Sequence, residues 1–178
     1  MSRVRDEEIK RLEKYAYGLG ITKITYAKPD GDSTGAVWTL NEDNTTELTF
    51  HVHTRLSKRS LILNFVHELA HHISWIYRNK QEQPEVIEAL SLEDKRKRGE
   101  PPIPKNKRKF IYLTEKEDAE YREMIWKEVN IQIPIEYLHA DIEADIWFYK
   151  QYYLTGHFPT YRQVKDQVRK SRDKYGVL

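Results

Sequence analysis

Phe65-Val66-His67-Glu68-Leu69-Ala70-His71-His72 is the stretch that sets the fold and points to a metal. Residues four apart share one face of a helix, so His67 and His71 can both face one ion. Glu68 follows His67 directly, within reach of a water beside that ion. Neutral imidazoles bind Zn²⁺ at roughly 2.0–2.1 Å, and two of them leave room for a third ligand and a water. In such a site the ion makes the water acidic and the carboxylate takes its proton. The surroundings are apolar: Leu61, Ile62, Leu63, Phe65, Val66, Leu69, Ala70, Ile73, Trp75 and Ile76. They describe a helix buried in a core, beginning at Ser57 or Ser60 and running to about Asn79. The plain alternative is a core helix that carries two histidines by chance. Against it stands the cost of a buried polar group without a partner, about 1–3 kcal/mol each.

The rest of the composition narrows the chemistry. The chain has 178 residues, enough for one domain with a sizeable core. Its formal net charge of +2 does not by itself imply a nucleic-acid partner. There is no cysteine, so disulfides and thiolate ligands are excluded and any metal must use histidine and carboxylate. Met1 to Asp6 holds no apolar signal core, and no apolar run approaches the roughly 20 residues that span a bilayer. The expectation is a cytoplasmic protein with no membrane partner.

Taken in order, Asp6 to Leu19 reads as a helix, with Ile9, Leu12, Ala16 and Leu19 at helical spacing. Ile21 to Ala27, Ala36 to Leu40 and Thr45 to His53 read as strands, the last two paired as an antiparallel hairpin. In the third, Leu48, Phe50 and Val52 alternate with polar residues. His51 and His53 share its polar face, as exposed residues, as the edge of a cleft, or as ligands of a second metal. From Lys80 to Lys109 the periodicity fails, except for a short helix over Glu85 to Leu92. The basic clusters Lys95–Arg98 and Lys105–Lys109 surround Gly99 and three prolines, and this reads as a long loop. The segment Lys95–Lys109 is a candidate grip on nucleic acid or an acidic partner, against the simpler reading of a solvated loop. Thr114-Glu115-Lys116-Glu117 is a capping box that opens a helix to about Val129. Ile135 to Leu154 is a further core helix ended by Gly156, and Tyr161 to Tyr175 is a polar terminal helix. The fold class is α+β: a small antiparallel sheet of about three strands against the metal-binding helix and a second core helix. Residues 1–178 form one domain, with an inserted region at about 80–130.

A catalytic zinc site requires three protein ligands. The candidates for the third lie in His139-Ala140-Asp141-Ile142-Glu143-Ala144-Asp145-Ile146-Trp147. Asp141 and Asp145 share one helical face, and His139 and Glu143 another. With H-E-x-x-H, this Asp-Ile-Glu-Ala-Asp run resembles the gluzincin metallopeptidases, and most closely the compact minigluzincins and ImmA/IrrE-like peptidases. The resemblance covers the two core helices and loosely the strands before them. It implies a zinc-dependent endopeptidase with one Zn²⁺ per chain, acting on a protein or peptide substrate. It implies that Glu68 is the general base, that His67, His71 and Asp141 are the ligands, and that Asp145 braces a ligand histidine. The family places Glu where this chain has Asp141, so Glu143 remains open as a ligand, as does His139, which would give a three-histidine site as in SprT-like peptidases. It also implies that Thr45 to His53 forms the edge on which an extended peptide adds as a strand. Tyr137, His139 and His157 are candidates to stabilise the oxyanion. The competing expectation is a non-catalytic or DNA-associated, SprT-like metal-binding regulatory protein.

Overall fold

A computed structural model describes residues 7–28, 35–52, 56–77 and 103–177. His53, the Glu85–Leu92 helix and the cluster Lys95–Arg98 lie outside the described residues. Among the described residues three strands and five helices make an α+β fold, in the order α1 (Glu7–Gly18), β1 (Lys23–Ala27), β2 (Ala36–Leu40), β3 (Thr46–His51), α2 (Lys58–Tyr77), α3 (Lys105–Glu128), α4 (Ile135–Thr155) and α5 (Tyr161–Tyr175). The chain divides into two compact units, Met1–Ile76 with Tyr121–Ile133, and Tyr77–Glu120 with Pro134–Leu178.

The first unit holds the sheet. Its strand order is β1-β3-β2, with β1 parallel and β2 antiparallel to β3. The hairpin forms as the alternation of β3 requires: Thr46, Leu48 and Phe50 are buried while Glu47, Thr49 and His51 are half-buried. The sheet is mixed rather than antiparallel throughout, because β1 adds along the far side of β3. That placement corrects a second expectation. β3 is bonded on both sides and has no free edge, so it cannot accept a peptide as an added strand. Among the described residues β2 is an edge strand. His51 N–H donates to the Gly35 carbonyl and Asn41 N–H to the Thr45 carbonyl. The backbone groups of Ala36, Trp38 and Leu40, in the alternate positions, therefore point away from β3.

α2 packs its apolar face on the sheet, with the Phe50 and Phe65 rings stacked 4.5 Å apart. Its start is fixed by Ser57, whose Oγ accepts from Ser60 N–H at 3.0 Å, the usual N-cap bond. Trp38 ties the edge strand to the same helix. Its ring lies 6.0 Å from Trp75, and its indole N–H donates to His72 Nδ1 at 3.3 Å. His72 Nε2–H in turn donates to the Leu19 carbonyl at 3.0 Å.

In the second unit, α4 ends at Gly156, whose φ of 77° is the left-handed conformation that glycine adopts at little cost. Arg108 lies so close to Gly156 that a Cβ there would collide with its guanidinium. Arg108 Nη1–H donates to the Tyr152 carbonyl in the last turn of α4, at 3.3 Å. Lys105 Nζ lies 5.8 Å above the Tyr153 ring. Both residues belong to the cluster expected in a loop. Instead α3 starts at Lys105, and Arg108 N–H closes its first turn on the Pro104 carbonyl. Proline suits a helix start, lysine and arginine are good helix formers, and nothing from 105 to 128 breaks the helix. Thr114–Glu117 therefore lies mid-helix and caps nothing.

Candidate metal centre

α2 places His67 and His71 one turn apart, both half-buried, as the motif requires. Their Nε2 atoms are 2.9 Å apart, a hydrogen-bond distance that must open to roughly 3.3–3.4 Å for both to meet one tetrahedral ion. The carboxylate that joins them is Glu115, on α3. One ligand atom each from His67, His71 and Glu115 lie within 4.8 Å of one another. Glu115 is buried. Among the described residues this is the group of three that can hold a metal ion.

Glu115 belongs to a stripe along α3. Ile111, Glu115, Asp118, Arg122, Ile125 and Val129 follow one another at spacings of four and three, and all are buried. Hydrophobic residues hold both ends of the stripe and ionisable ones its middle. Asp118 is 0% exposed and Arg122 1%. Buried charges at core positions are rare without partners, so the middle of this stripe is built for ions. Glu115 and Asp118 are acidic and Arg122 basic, so the formal charge of this part of the stripe is −1. Arg122 Nη2–H donates to His67 Nε2 at 3.4 Å.

Glu68, next to His67, is also engaged. Its Oε2 accepts from Trp38 N–H at 2.8 Å, one of the outward-facing amides of edge strand β2. The base of the motif is thus oriented by the backbone of the neighbouring strand. His72 stands behind it, buried and neutral: burial lowers its pKa, with the Leu19 hydrogen bond acting the other way.

The carboxylates expected from α4 fall as follows. Asp141 and Asp145 are half-buried, one turn apart, and neither is in the group with His67 and His71. Glu143 forms an ion pair with Lys174 of α5. His139 packs its ring 5.7 Å from that of Tyr175, also on α5. The face of α4 that carries Glu143 and His139 thus meets the terminal helix. His157 is exposed, and His51 joins no group of three ligands among the described residues.

Glu115 is not legible as a third ligand from the sequence, because Thr114–Glu117 has the pattern of a capping box at a helix start. The signal was present in the heptad-like stripe, where Glu115, Asp118 and Arg122 take positions that Ile111, Ile125 and Val129 mark as core.

No protein-family model, no curated protein and no solved structure matches this chain. What the structure shows is a His67–His71–Glu115 group that could hold a metal ion, in an α+β fold. Among the described residues no helix is long and apolar enough to cross a membrane.

Proposed function

We propose that the chain is a zinc-dependent peptidase of the H-E-x-x-H type, with the ion held by His67, His71 and Glu115. One observation carries the reading: two imidazole nitrogens and a buried carboxylate oxygen lie within 4.8 Å of one another, and Glu68 follows His67 in sequence. Two histidines and one glutamate are a catalytic zinc donor set, with a fourth position left for water or substrate. When bound, the ion supplies Lewis acidity, which acidifies a water and polarises a carbonyl. Glu68 takes the proton from the attacking water and passes it to the leaving amine. The Trp38 N–H bond at Oε2 orients that carboxylate and leaves Oε1 to move the proton. An extended peptide would pair with the outward carbonyl of Trp38 and the outward backbone of Leu40 on β2. Asp141 remains the rival for the third ligand position, and Asp145 the proposed brace of a ligand histidine.

Metal analysis of the purified protein, with a casein or self-cleavage assay with and without chelator, tests this reading. The expected result is one zinc per chain and chelator-sensitive cleavage. A metal-free protein, or cleavage indifferent to chelator, would overturn it.

The engagement of Glu68 by Trp38 favours one other reading. A metal held by His67, His71 and Glu115 would join α2 to Glu115 of α3 without turnover, in a regulatory protein that binds DNA or an acidic partner through Lys95–Lys109. Two members of that segment, Lys105 and Arg108, pack on α4 residues and are less available for such a role. DNA binding whose salt dependence flattens when Lys95–Arg98 are replaced by serine would support this reading. Cleavage stimulated by DNA would join the two.

A further inference from the structure

α5 takes no part in the proposed chemistry, and its charge is unlike that of the rest of the chain. Tyr161–Tyr175 holds six cations and two acids, a charge of +4 within a chain whose formal total is +2. At 3.6 residues per turn, Tyr161, Arg162, Lys165, Arg169 and Arg172 fall in one stripe about 100° wide. No acid lies inside it; Asp166 and Asp173 are on its flank. Tyr161 is 83% exposed, Arg162, Lys165 and Arg169 are exposed, and Arg172 is half-buried. The other side of the helix serves the fold: Ser171 is buried, Tyr175 packs on His139, and Lys174 pairs with Glu143. Folding does not explain the stripe. Like charges three and four apart on a helix repel. Arg162 sits in a first turn that has no acid, at the positive end of the helix dipole. Of the four cations, Arg169 alone has an ion pair among the described residues, with Asp166 at 3.5 Å, and both partners are well exposed. A merely solvated face would mix the two signs.

We propose that this stripe binds single-stranded nucleic acid, with the four cations meeting phosphates and the Tyr161 ring stacking on a base. The stripe runs about 16 Å along the helix, long enough to follow several phosphates of one strand. An exposed ring in a line of cations suits an unpaired strand, because every free base offers a π-face and a duplex keeps those faces stacked inside. An acidic peptide would meet the cations and leave the ring without a partner. A membrane surface fits less well, since Tyr161 is the one large apolar side chain exposed on α5. Gln163 is engaged by Thr160 and Gln167 by Ser171, so the stripe offers charge and a ring and reads no base edge. Binding should be indifferent to sequence. The inference does not rest on the zinc-peptidase reading.

The test uses the full chain and a fluorescent oligo(dT) of about 20 nucleotides, with anisotropy read over a series of salt concentrations. The parent should bind, and its affinity should fall as salt rises. The triple variant Arg162→Gln/Lys165→Gln/Arg169→Gln should bind about 10-fold or more weakly at about 50 mM salt, with a salt slope lower by about 2, close to 0.7 for each lost phosphate contact. Tyr161→Ala should weaken binding about fivefold or more with the slope unchanged, which separates stacking from charge. A duplex of the same length should bind more weakly than the strand despite its higher charge density, and polyglutamate of equal charge should not displace the strand. A parent that does not bind oligo(dT) overturns the inference. So does a triple variant, or Tyr161→Ala, within about twofold of the parent. A duplex or polyglutamate held as tightly as the strand overturns it too. Were the triple variant to lose its helix by circular dichroism, Arg162→Gln and Lys165→Gln singly should each lower the slope by about 0.7, and unchanged slopes overturn the inference. Zinc, measured in the same samples, keeps the two readings apart: a zinc-free parent that binds the strand through α5 removes the peptidase reading alone.

Discussion

α2 and α3 both bring ionisable side chains to one place, by opposite means. On α2, His67, Glu68 and His71 are half-buried on a helix that is otherwise core. Each can be accommodated at half-burial because a neutral imidazole costs less to bury than a charge and Glu68 has a backbone N–H at its carboxylate. On α3, Glu115, Asp118 and Arg122 are ionisable groups buried in the stripe itself. A buried charge is tolerated only against other charges, so α3 is committed to its surroundings in a way that α2 is not. Substitutions on α2 should therefore act on chemistry and spare the fold. Substitutions on α3 should act on both.

The largest effects should come from α2. Glu68→Gln should keep the zinc and the fold and lose turnover by several orders of magnitude, on the order of 10⁴-fold for a lost general base. Zinc analysis beside a cleavage assay checks this, and retained turnover would remove Glu68 from the mechanism. His67→Ala or His71→Ala should each abolish stoichiometric zinc without lowering the melting temperature of the metal-free protein. A variant that kept full zinc would show the site to be misplaced.

The third ligand sharpens the comparison. If α3 supplies it, Glu115→Gln should weaken zinc by more than the roughly 10–100-fold that a supporting residue costs. Asp141→Ala should stay within that range, and Glu143→Ala, at an ion pair with Lys174, should leave zinc nearly unchanged. Zinc affinities of the three single variants rank them. The reverse order for Glu115 and Asp141 would return the third ligand to α4.

How far the sequence could be read follows the same division. The strands, the hairpin, and the limits of α2, α4 and α5 were legible because apolar residues repeat there at periods of two or 3.6, and because Ser57 and Gly156 punctuate the ends. His67 and His71 were legible because the motif fixes their spacing. The parallel pairing of β1 was not, since nothing local states which edge of β3 a strand will take. Nor was Glu115. Lys105 to Lys109 hid the start of α3 behind charge, and a stripe with ions at its centre does not register as apolar. The residues that most resisted reading are those whose burial only the assembled structure explains.

Asp118 measures the cost of that burial. Asp118→Ala should destabilise the metal-free protein by about 3–5 kcal/mol, the penalty for breaking a buried set of charges. Denaturant titration reads it directly. A cost below about 1 kcal/mol would mean that the charges of α3 are no more committed than those of α2, and the comparison would fail.

The smallest effect tests α2 from the other side, at His72. Its ring is neutral, accepting from Trp38 at Nδ1 and donating to Leu19 at Nε2, and burial holds its pKa below the ordinary value. The unfolded chain therefore binds a proton at this residue before the folded one does, and folding stability falls as pH drops below about 6.5. Above that value the contribution is fully present; below it the loss proceeds at no more than about 1.4 kcal/mol per pH unit until the folded-state pKa is reached. The measurement belongs in a metal-free His67→Ala/His71→Ala background, where the ligand histidines cannot contribute. There, His72→Gln should flatten the stability–pH profile between about 6.5 and 5, because an amide can accept from Trp38 and donate to Leu19 without titrating. An unchanged slope would mean that the proton uptake lies elsewhere, and that His72 meets its burial no differently from an exposed imidazole.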